Sequence, residues 1–126
     1  MTTQRTKTEI ATEFLTLCAG GRVREAYDRF VSGDFRHHNP WFAQDRQSLL
    51  EAMEQSAASQ PNKSFEVKQA IESEDRVATL SHLKREQAPS EIAVVHILRF
   101  EGERIVEMWD IGQEIPPDSP NALGMF

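Results

Sequence analysis

One carboxylate lies where an uncharged side chain would be expected. Asp110 interrupts a mostly apolar segment, residues 105–111. In a strand, successive side chains point to opposite faces, so Asp110 shares a face with Val106 and Met108. If helices cover that face, Asp110 points into an apolar cavity, where desolvation raises the pKa of a carboxyl group toward the range useful for proton transfer. The pattern predicts a general acid/base; the alternative is a carboxylate that ends the strand or accepts hydrogen bonds from backbone amides.

The histidines are the other candidates for proton transfer or ligand binding. They are His37, His38, His82 and His96. A single histidine in a strand is more often an ordinary core or surface residue than a functional one. Because His37 and His38 are adjacent, at most one of them faces the cavity if the segment is extended. Together with Asp110, three of these histidines (His38, His82 and His96) could ligate a metal on paper, but no spacing supports such a site, and we expect no metal and no other cofactor.

The direction of His96 depends on the turn after its strand. A two-residue turn at 101–102 pairs His96 with Glu107, whereas a three-residue turn with a bulge pairs it with Met108, on the face of Asp110. A slip of one residue turns every side chain to the other face, so the two pairings give opposite answers. We favour the second pairing.

The composition excludes several classes of function. The chain has 126 residues, of which 39% are hydrophobic and 27% charged, as is typical of one globular domain spanning residues 1–126. Its net charge of −6 would repel phosphate backbones and anionic lipids, so we expect no nucleic acid or membrane partner. No run approaches the ~20 apolar residues of a membrane span. The only cysteine, Cys18, cannot form an internal disulfide, which favours a cytoplasmic location.

The N-terminal part of the chain predicts helices. A capping box at residues 6–9 precedes an apolar stripe at helical spacing, which ends at residues 20–21. A second helix begins at Val23, with Gly33 as its predicted end. A short strand is predicted near residues 35–39.

A third helix and four strands follow. Asp45 is placed to cap a helix that must end before Pro61, because proline disfavours helical geometry in the residue before it. After Pro61 the spacing of apolar residues changes from that of a helix to every second position, and residues 92–100 are apolar at nearly every position. This pattern predicts long strands at residues 65–72, 76–86, 92–100 and 104–115.

This order of elements predicts an α+β fold. Three N-terminal helices would pack on one face of a curved antiparallel sheet. The other face would expose Ile105, Trp109 and Ile111 in a row, an apolar stripe that a second copy of the chain could cover. We therefore expect a homodimer through the sheet.

Three segments resemble a known family. Residues 35–40, F-R-H-H-N-P, are similar to the Y-I-Q-H-N-P segment of SnoaL-like proteins, members of the nuclear transport factor 2-like superfamily. Residues 94–113 are similar to their V-V-D-I-F-R…G-K-I-V-E-H-W-D-V-x-Q segment, and residues 119–126 to their S-x-N…M-F ending. The resemblance covers nearly the whole chain.

The resemblance implies a cone-shaped fold with a pocket enclosed between helices and a bent sheet, and frequently a dimer. Characterised relatives include polyketide cyclases, which close a ring by aldol condensation without metal or cofactor and use an aspartate as acid/base. Asp110 matches that aspartate, and His38 matches the histidine of the H-N-P motif. His96 departs from the family pattern, because many relatives have aspartate there. The superfamily also contains isomerases, dehydratases and proteins that only bind ligand, so the resemblance does not decide the reaction.

Three functions follow as alternatives, the last of which is a dimeric interaction domain with a filled cavity. The first is a cofactor-independent cyclase-like lyase or isomerase for a mostly apolar carbonyl compound, in which Asp110 takes a proton from carbon and His38, or else His82, donates a hydrogen bond to the enolate oxygen. The second is a non-catalytic binding module for a small ligand, in which Asp110 only orients that ligand. The other expected contacts with the ligand are His96, Asn39 and the apolar walls Trp41 and Met108.

Overall fold

Three helices and five strands make up the part of the chain that the structure describes, residues 5–87 and 90–126 of a computed structural model. The elements are α1 (Lys7–Ala19), α2 (Val23–Phe30), β1 (Val31–His37), α3 (Arg46–Ser59), β2 (Asn62–Ser73), β3 (Arg76–Arg85), β4 (Glu91–Glu101) and β5 (Arg104–Glu114). The helices and the curved sheet form the α+β cone fold expected from the sequence. No helix in the described ranges is long and apolar enough to cross a membrane.

The predicted helix starts are confirmed. The side chain of Thr6 accepts a hydrogen bond from the backbone N–H of Glu9, whose carboxylate accepts one from the backbone of Thr6, and this capping box begins α1. Asp45 begins α3 by accepting a hydrogen bond of 2.9 Å from the backbone N–H of Ser48.

The end of α2 differs from its prediction. The helix ends at Phe30, and the chain passes directly into β1 without stopping at Gly33. The first strand therefore begins earlier than the predicted segment, residues 35–39, and Gly33 lies within it.

The strands form one sheet in the order β1-β5-β4-β3-β2. Strands β2, β3, β4 and β5 pair antiparallel with one another in that order, as predicted. β1 pairs in parallel with β5, so the sheet is mixed rather than wholly antiparallel. No hairpin joins these two strands, because α3 and three other strands lie between them along the chain, so they are free to pair in parallel.

A bulge in β5 corrects the predicted register. Glu101 and Arg104 pair across a tight turn, and Val106 then lies as an extra residue between Ile105 and Glu107. The extra residue reverses which side chains point inward. Ile105 is therefore fully buried at 0% exposure, whereas the sequence placed it on the exposed face.

The bulge also decides the partner of His96. Beyond it, His96 lies opposite Asp110, and Met108 lies opposite Leu98. The predicted pairing of His96 with Met108 is wrong by two residues, but an even error leaves His96 on the same face of the sheet as Asp110.

An aromatic column joins the helices to β1. The ring of Phe14 lies 5.6 Å from that of Tyr27, which lies 6.0 Å from that of Phe35. All three are buried, and Phe35 in turn stacks on His37 at 6.4 Å. The column fixes the end of β1 and therefore the start of the loop that follows it.

Candidate active site

A cavity of about 760 Å³ lies between the helices and the inner face of the sheet. Its helical wall is mostly apolar and includes Phe14 and Cys18 of α1 and Met53 of α3. Burial raises the pKa of the Cys18 thiol, so this cysteine stays protonated and is a poor nucleophile. The polar residues at the cavity cluster at its two ends.

Asp110 and His96 form the polar pair at one end. They are directly opposite each other on β5 and β4, and both line the cavity. Residues opposite each other in an antiparallel pair have Cβ atoms about 4.5–5.5 Å apart and point to the same face. The structure thus places Asp110 on the side that strand alternation predicts. Its catalytic role stays a prediction.

His96 is uncharged at neutral pH. Burial lowers the pKa of His96 from 6.5 to about 4, although the negative charge of Asp110 acts in the opposite direction. The Nδ1 atom is shielded from solvent and has no hydrogen-bond partner within the described ranges. A neutral imidazole carries one N–H donor, so His96 can donate one hydrogen bond beside the Asp110 carboxylate.

Asn39 holds the Asp110 carboxylate in place. Its Nδ2 donates a hydrogen bond of 3.2 Å to Oδ2 of Asp110. The Oδ1 of the same amide accepts a hydrogen bond of 3.0 Å from the backbone N–H of Trp41. Both ends of the amide are thereby oriented, and Oδ1 of Asp110 is left as the carboxylate oxygen available to a ligand.

The buried histidine of the adjacent pair is His37, which is 3% exposed. Its Nδ1 accepts a hydrogen bond of 3.1 Å from the backbone N–H of Asn39, and its Nε2 donates one of 2.6 Å to the carbonyl oxygen of Ala43. His37 therefore positions Asn39 and has no free ring nitrogen. The sequence signal for this role was available, because His37 shares its strand face with the core residue Phe35.

The expectation for His38 is corrected by its contacts. His38 borders the cavity, but its Nε2 donates a hydrogen bond of 2.7 Å to Oε2 of Glu107, and its ring stacks on Trp109 at 4.7 Å. Both partners point to the outer face of the sheet, away from Asp110. The hydrogen bond from His38 lowers the pKa of Glu107. The imidazole is therefore engaged on the wrong side to stabilise an enolate in the cavity.

His82 does not reach the cavity. It lies on the outer face, where its Nε2 donates a hydrogen bond of 2.7 Å to Glu91 and its ring stacks on Phe126 at 4.6 Å. The structure does not bring His82 to the cavity, because strand alternation points Ser81 inward and His82 outward.

The two predicted apolar walls lie at different depths. Met108 is 2% exposed and contacts the cavity from β5. Trp41 borders the cavity at its rim, where 84% of the side chain is exposed to solvent. Across residues 5–87 and 90–126, no three histidine, cysteine, aspartate or glutamate side chains are arranged to hold a metal ion.

A comparison with protein families matches the SnoaL-like domain to residues 11–108 of the chain. None of the curated proteins matches the chain.

Solved structures share the fold at low sequence identity. A SnoaL-like polyketide cyclase from Agrobacterium tumefaciens is 16% identical, with a TM-score of 0.71 over 87% of this chain and 93% of that one. An NTF2-like protein of unknown function from Cytophaga hutchinsonii is 17% identical, with a TM-score of 0.70 over 90% and 95%. A protein with a ketosteroid isomerase-like fold from Catenulispora acidiphila, in complex with trimethylamine, is 19% identical, with a TM-score of 0.67 over 84% and 86%.

Proposed function

The chain belongs to the SnoaL-like domain family, and on that premise we propose that it is a cofactor-independent enzyme, an aldol-type cyclase or isomerase, acting on a mostly apolar carbonyl compound. One observation carries the proposal: a carboxylate and a neutral histidine lie side by side on adjacent strands, at one end of an otherwise largely apolar cavity. This is the pair of groups that proton abstraction next to a carbonyl requires.

Asp110 acts as the base in this mechanism. Its Oδ1 takes a proton from the carbon next to the substrate carbonyl, and the electron pair of the broken C–H bond moves onto the carbonyl oxygen. In an aldol closure the enolate carbon then attacks a second carbonyl group, and protonated Asp110 returns its proton to the new alkoxide. In an isomerisation the proton returns to a different carbon. Asn39 keeps the other carboxylate oxygen in place throughout.

His96 supplies the electrophile in place of His38 and His82. A neutral imidazole donates a hydrogen bond to the developing enolate without giving up its proton at neutral pH. Losing one such donor typically slows a reaction by about 100-fold or more.

Proton exchange with solvent tests the proposed base. A panel of apolar ketones is incubated in deuterated water with the protein, and loss of the protons next to the carbonyl is followed by NMR. We expect Asp110→Asn to slow this exchange by about 100-fold or more with little change in melting temperature. Glu107→Gln, a matched change on the outer face of the same strand, should leave the rate unchanged. Equal rates in Asp110→Asn and the wild type would overturn the proposal.

The second candidate function is a non-catalytic binding module. The largely apolar wall of the cavity favours it, because such a wall can bind an apolar ligand without any chemistry. Tight binding of a ketone that shows no exchange or turnover in the wild type would favour this function. For either function we propose a small apolar carbonyl ligand, a homodimer through the outer face of the sheet, a single domain over residues 1–126 and a cytoplasmic setting.

A further inference from the structure

The end of the cavity remote from Asp110 carries a positive charge that no described carboxylate holds in an ion pair. Arg85 and Asn62 pair at the ends of β3 and β2 and both line the cavity. The side chain of Arg85 makes one long hydrogen bond, 3.4 Å from Nη1 to Oε1 of Gln60, and forms no ion pair with a described carboxylate. Within the described ranges, its other donors have no partner.

Asn62 shows that this end of the cavity is polar and incomplete. Its Nδ2 donates a hydrogen bond of 2.9 Å to the carbonyl oxygen of Ala19. Its Oδ1 is buried and has no donor among the residues that the structure describes. Buried polar atoms are nearly always paired, so this acceptor indicates that a ligand places a hydrogen-bond donor here. A carboxylate only accepts hydrogen bonds, so it would bind Arg85 and not Asn62.

The register of the sheet gives the spacing of the two polar ends. Thr79 lies opposite His96, and Arg85 follows six residues later on β3. At about 3.3 Å per residue, the Cα atoms of Thr79 and Arg85 are about 20 Å apart along the strand. A ligand that contacts both ends with its polar groups is therefore elongated.

We propose that Arg85 binds a carboxylate of the ligand, so that the substrate is an elongated apolar compound with its reactive carbonyl at one end and a carboxylate at the other. A guanidinium matches a carboxylate in geometry and charge, and low-polarity walls strengthen their attraction. The position of the reactive carbonyl at one end rests on the proposed function. The position of the carboxylate at the other end rests on Arg85 alone.

Glu114 opposes this binding and provides a second test. It lines the same end of the cavity, on the far side of β4 from Arg85, and accepts a hydrogen bond of 3.3 Å from Ser90. Two strand spacings of about 4.8 Å separate β3 from β5, so the Glu114 charge lies farther from the bound carboxylate than Arg85 does and weakens its binding without preventing it.

The experiment uses two probes that differ only in charge. One is a long-chain fatty acid with a methyl ketone at its far end, and the other is the methyl ester of the same acid. Calorimetry on the wild type should show the acid binding about tenfold or more tightly than the ester. Arg85→Met should abolish this preference and leave ester binding unchanged, Arg85→Lys should keep part of it, and Glu114→Gln should tighten binding of the acid only.

Two results would overturn the proposal: equal affinities for acid and ester in the wild type, or a preference for the acid that survives in Arg85→Met. Unchanged binding of the ester shows that a variant is folded. Asp110→Asn separates this proposal from the proposed function, because it should lose proton exchange while keeping the preference for the acid. Wild-type protein that prefers the acid but exchanges no protons would contradict only the catalytic proposal.

Discussion

The uncharged state of His96 links the stability of the fold to pH. Burial lowers the pKa of His96 to about 4 in the folded chain, and unfolding returns it to its ordinary value of 6.5. Between these values the unfolded chain binds more protons than the folded one, so the free energy of unfolding decreases as the pH falls through this window. The full loss is on the order of 3 kcal/mol.

Replacing His96 should remove this part of the pH dependence. We expect the difference in unfolding free energy between about pH 7 and about pH 4 to be smaller in His96→Gln than in the wild type, as measured by urea denaturation. His82→Gln, a matched change on the outer face, controls for loss of a histidine as such. If His96→Gln and the wild type lose the same stability on acidification, His96 is not buried in its neutral form.

Thr79 carries a hydroxyl group without a partner. It is 2% exposed, lies opposite His96, and its Oγ1 makes no hydrogen bond within the described ranges. A buried hydroxyl left unpaired costs about 1–3 kcal/mol, so Thr79→Val, which keeps the shape, should raise the free energy of unfolding by about 1 kcal/mol. Thr8→Val should lower it, because the Thr8 hydroxyl donates to Glu72 at 2.7 Å. A destabilised Thr79→Val would mean that the hydroxyl is paired in solution.

The directions of single residues in the strands were predictable only in part. Alternation placed Asp110 on the face of Met108, but both faces of this segment carry apolar residues, so the prediction also needed the helices to cover that face. In β3 both faces carry apolar residues, such as Val77 on one and Leu80 on the other. Alternation alone therefore gave no direction for His82, which the structure places on the outer face.

Element boundaries were predictable where a local signal exists. The capping box at Thr6 and the cap at Asp45 began their helices as expected. The bulge at Val106 has no such signal, because it depends on how β4 and β5 pair over their whole length. The pairing of His96 with Asp110, on which the candidate site depends, is a consequence of that bulge. It could not be read from local sequence.

The end of α2 depends on residues distant in sequence. Nη1 of Arg104 donates hydrogen bonds of 3.2 and 3.0 Å to the carbonyl oxygens of Asp28 and Arg29. Nη2 of Arg46 donates one of 3.1 Å to the carbonyl oxygen of Tyr27. The carbonyl oxygen of Tyr27 also accepts a hydrogen bond from the backbone N–H of Val31. Carbonyl groups in the last turn of a helix otherwise lack partners within the helix, and cations at a helix C-terminus interact favourably with its dipole. Two arginines therefore replace the glycine cap that Gly33 was expected to provide.

Removing Arg104 should destabilise the fold. We expect Arg104→Met to lower the free energy of unfolding by about 1 kcal/mol, because two carbonyl groups lose a charged donor. Arg22→Met, at the opposite end of the same helix, provides the matched control and should change stability by only a few tenths of a kcal/mol. Urea denaturation measures both. Equal effects at the two ends would show that the contacts of Arg104 do not hold the helix end.

The two faces of the curved sheet serve different purposes in the whole molecule. The inner face and the helices enclose the cavity. The outer face leaves three large apolar side chains unusually exposed: Ile71 at 65%, Val95 at 37% and Ile111 at 68%. Val95 and Ile111 lie opposite each other on β4 and β5, and Ile71 lies on β2, on the far side of β3. They form part of an apolar surface of the kind that marks an interface between proteins. This surface supports the proposed homodimer. Ile105, which was expected from the sequence to be part of it, is buried instead.

A charge at the centre of this surface tests the homodimer. Val95 lies between Leu80 and Ile111 on the neighbouring strands, so a two-fold interface through the sheet would bring a Val95→Lys ammonium group against apolar side chains of the second copy. We expect the wild type to sediment as a dimer and Val95→Lys as a monomer with an unchanged circular dichroism spectrum. Trp41→Lys, which changes an exposed aromatic residue at the cavity rim, should stay dimeric. A wild type that sediments as a monomer at high concentration, or a Val95→Lys variant that remains a dimer, would show that this face does not join two copies.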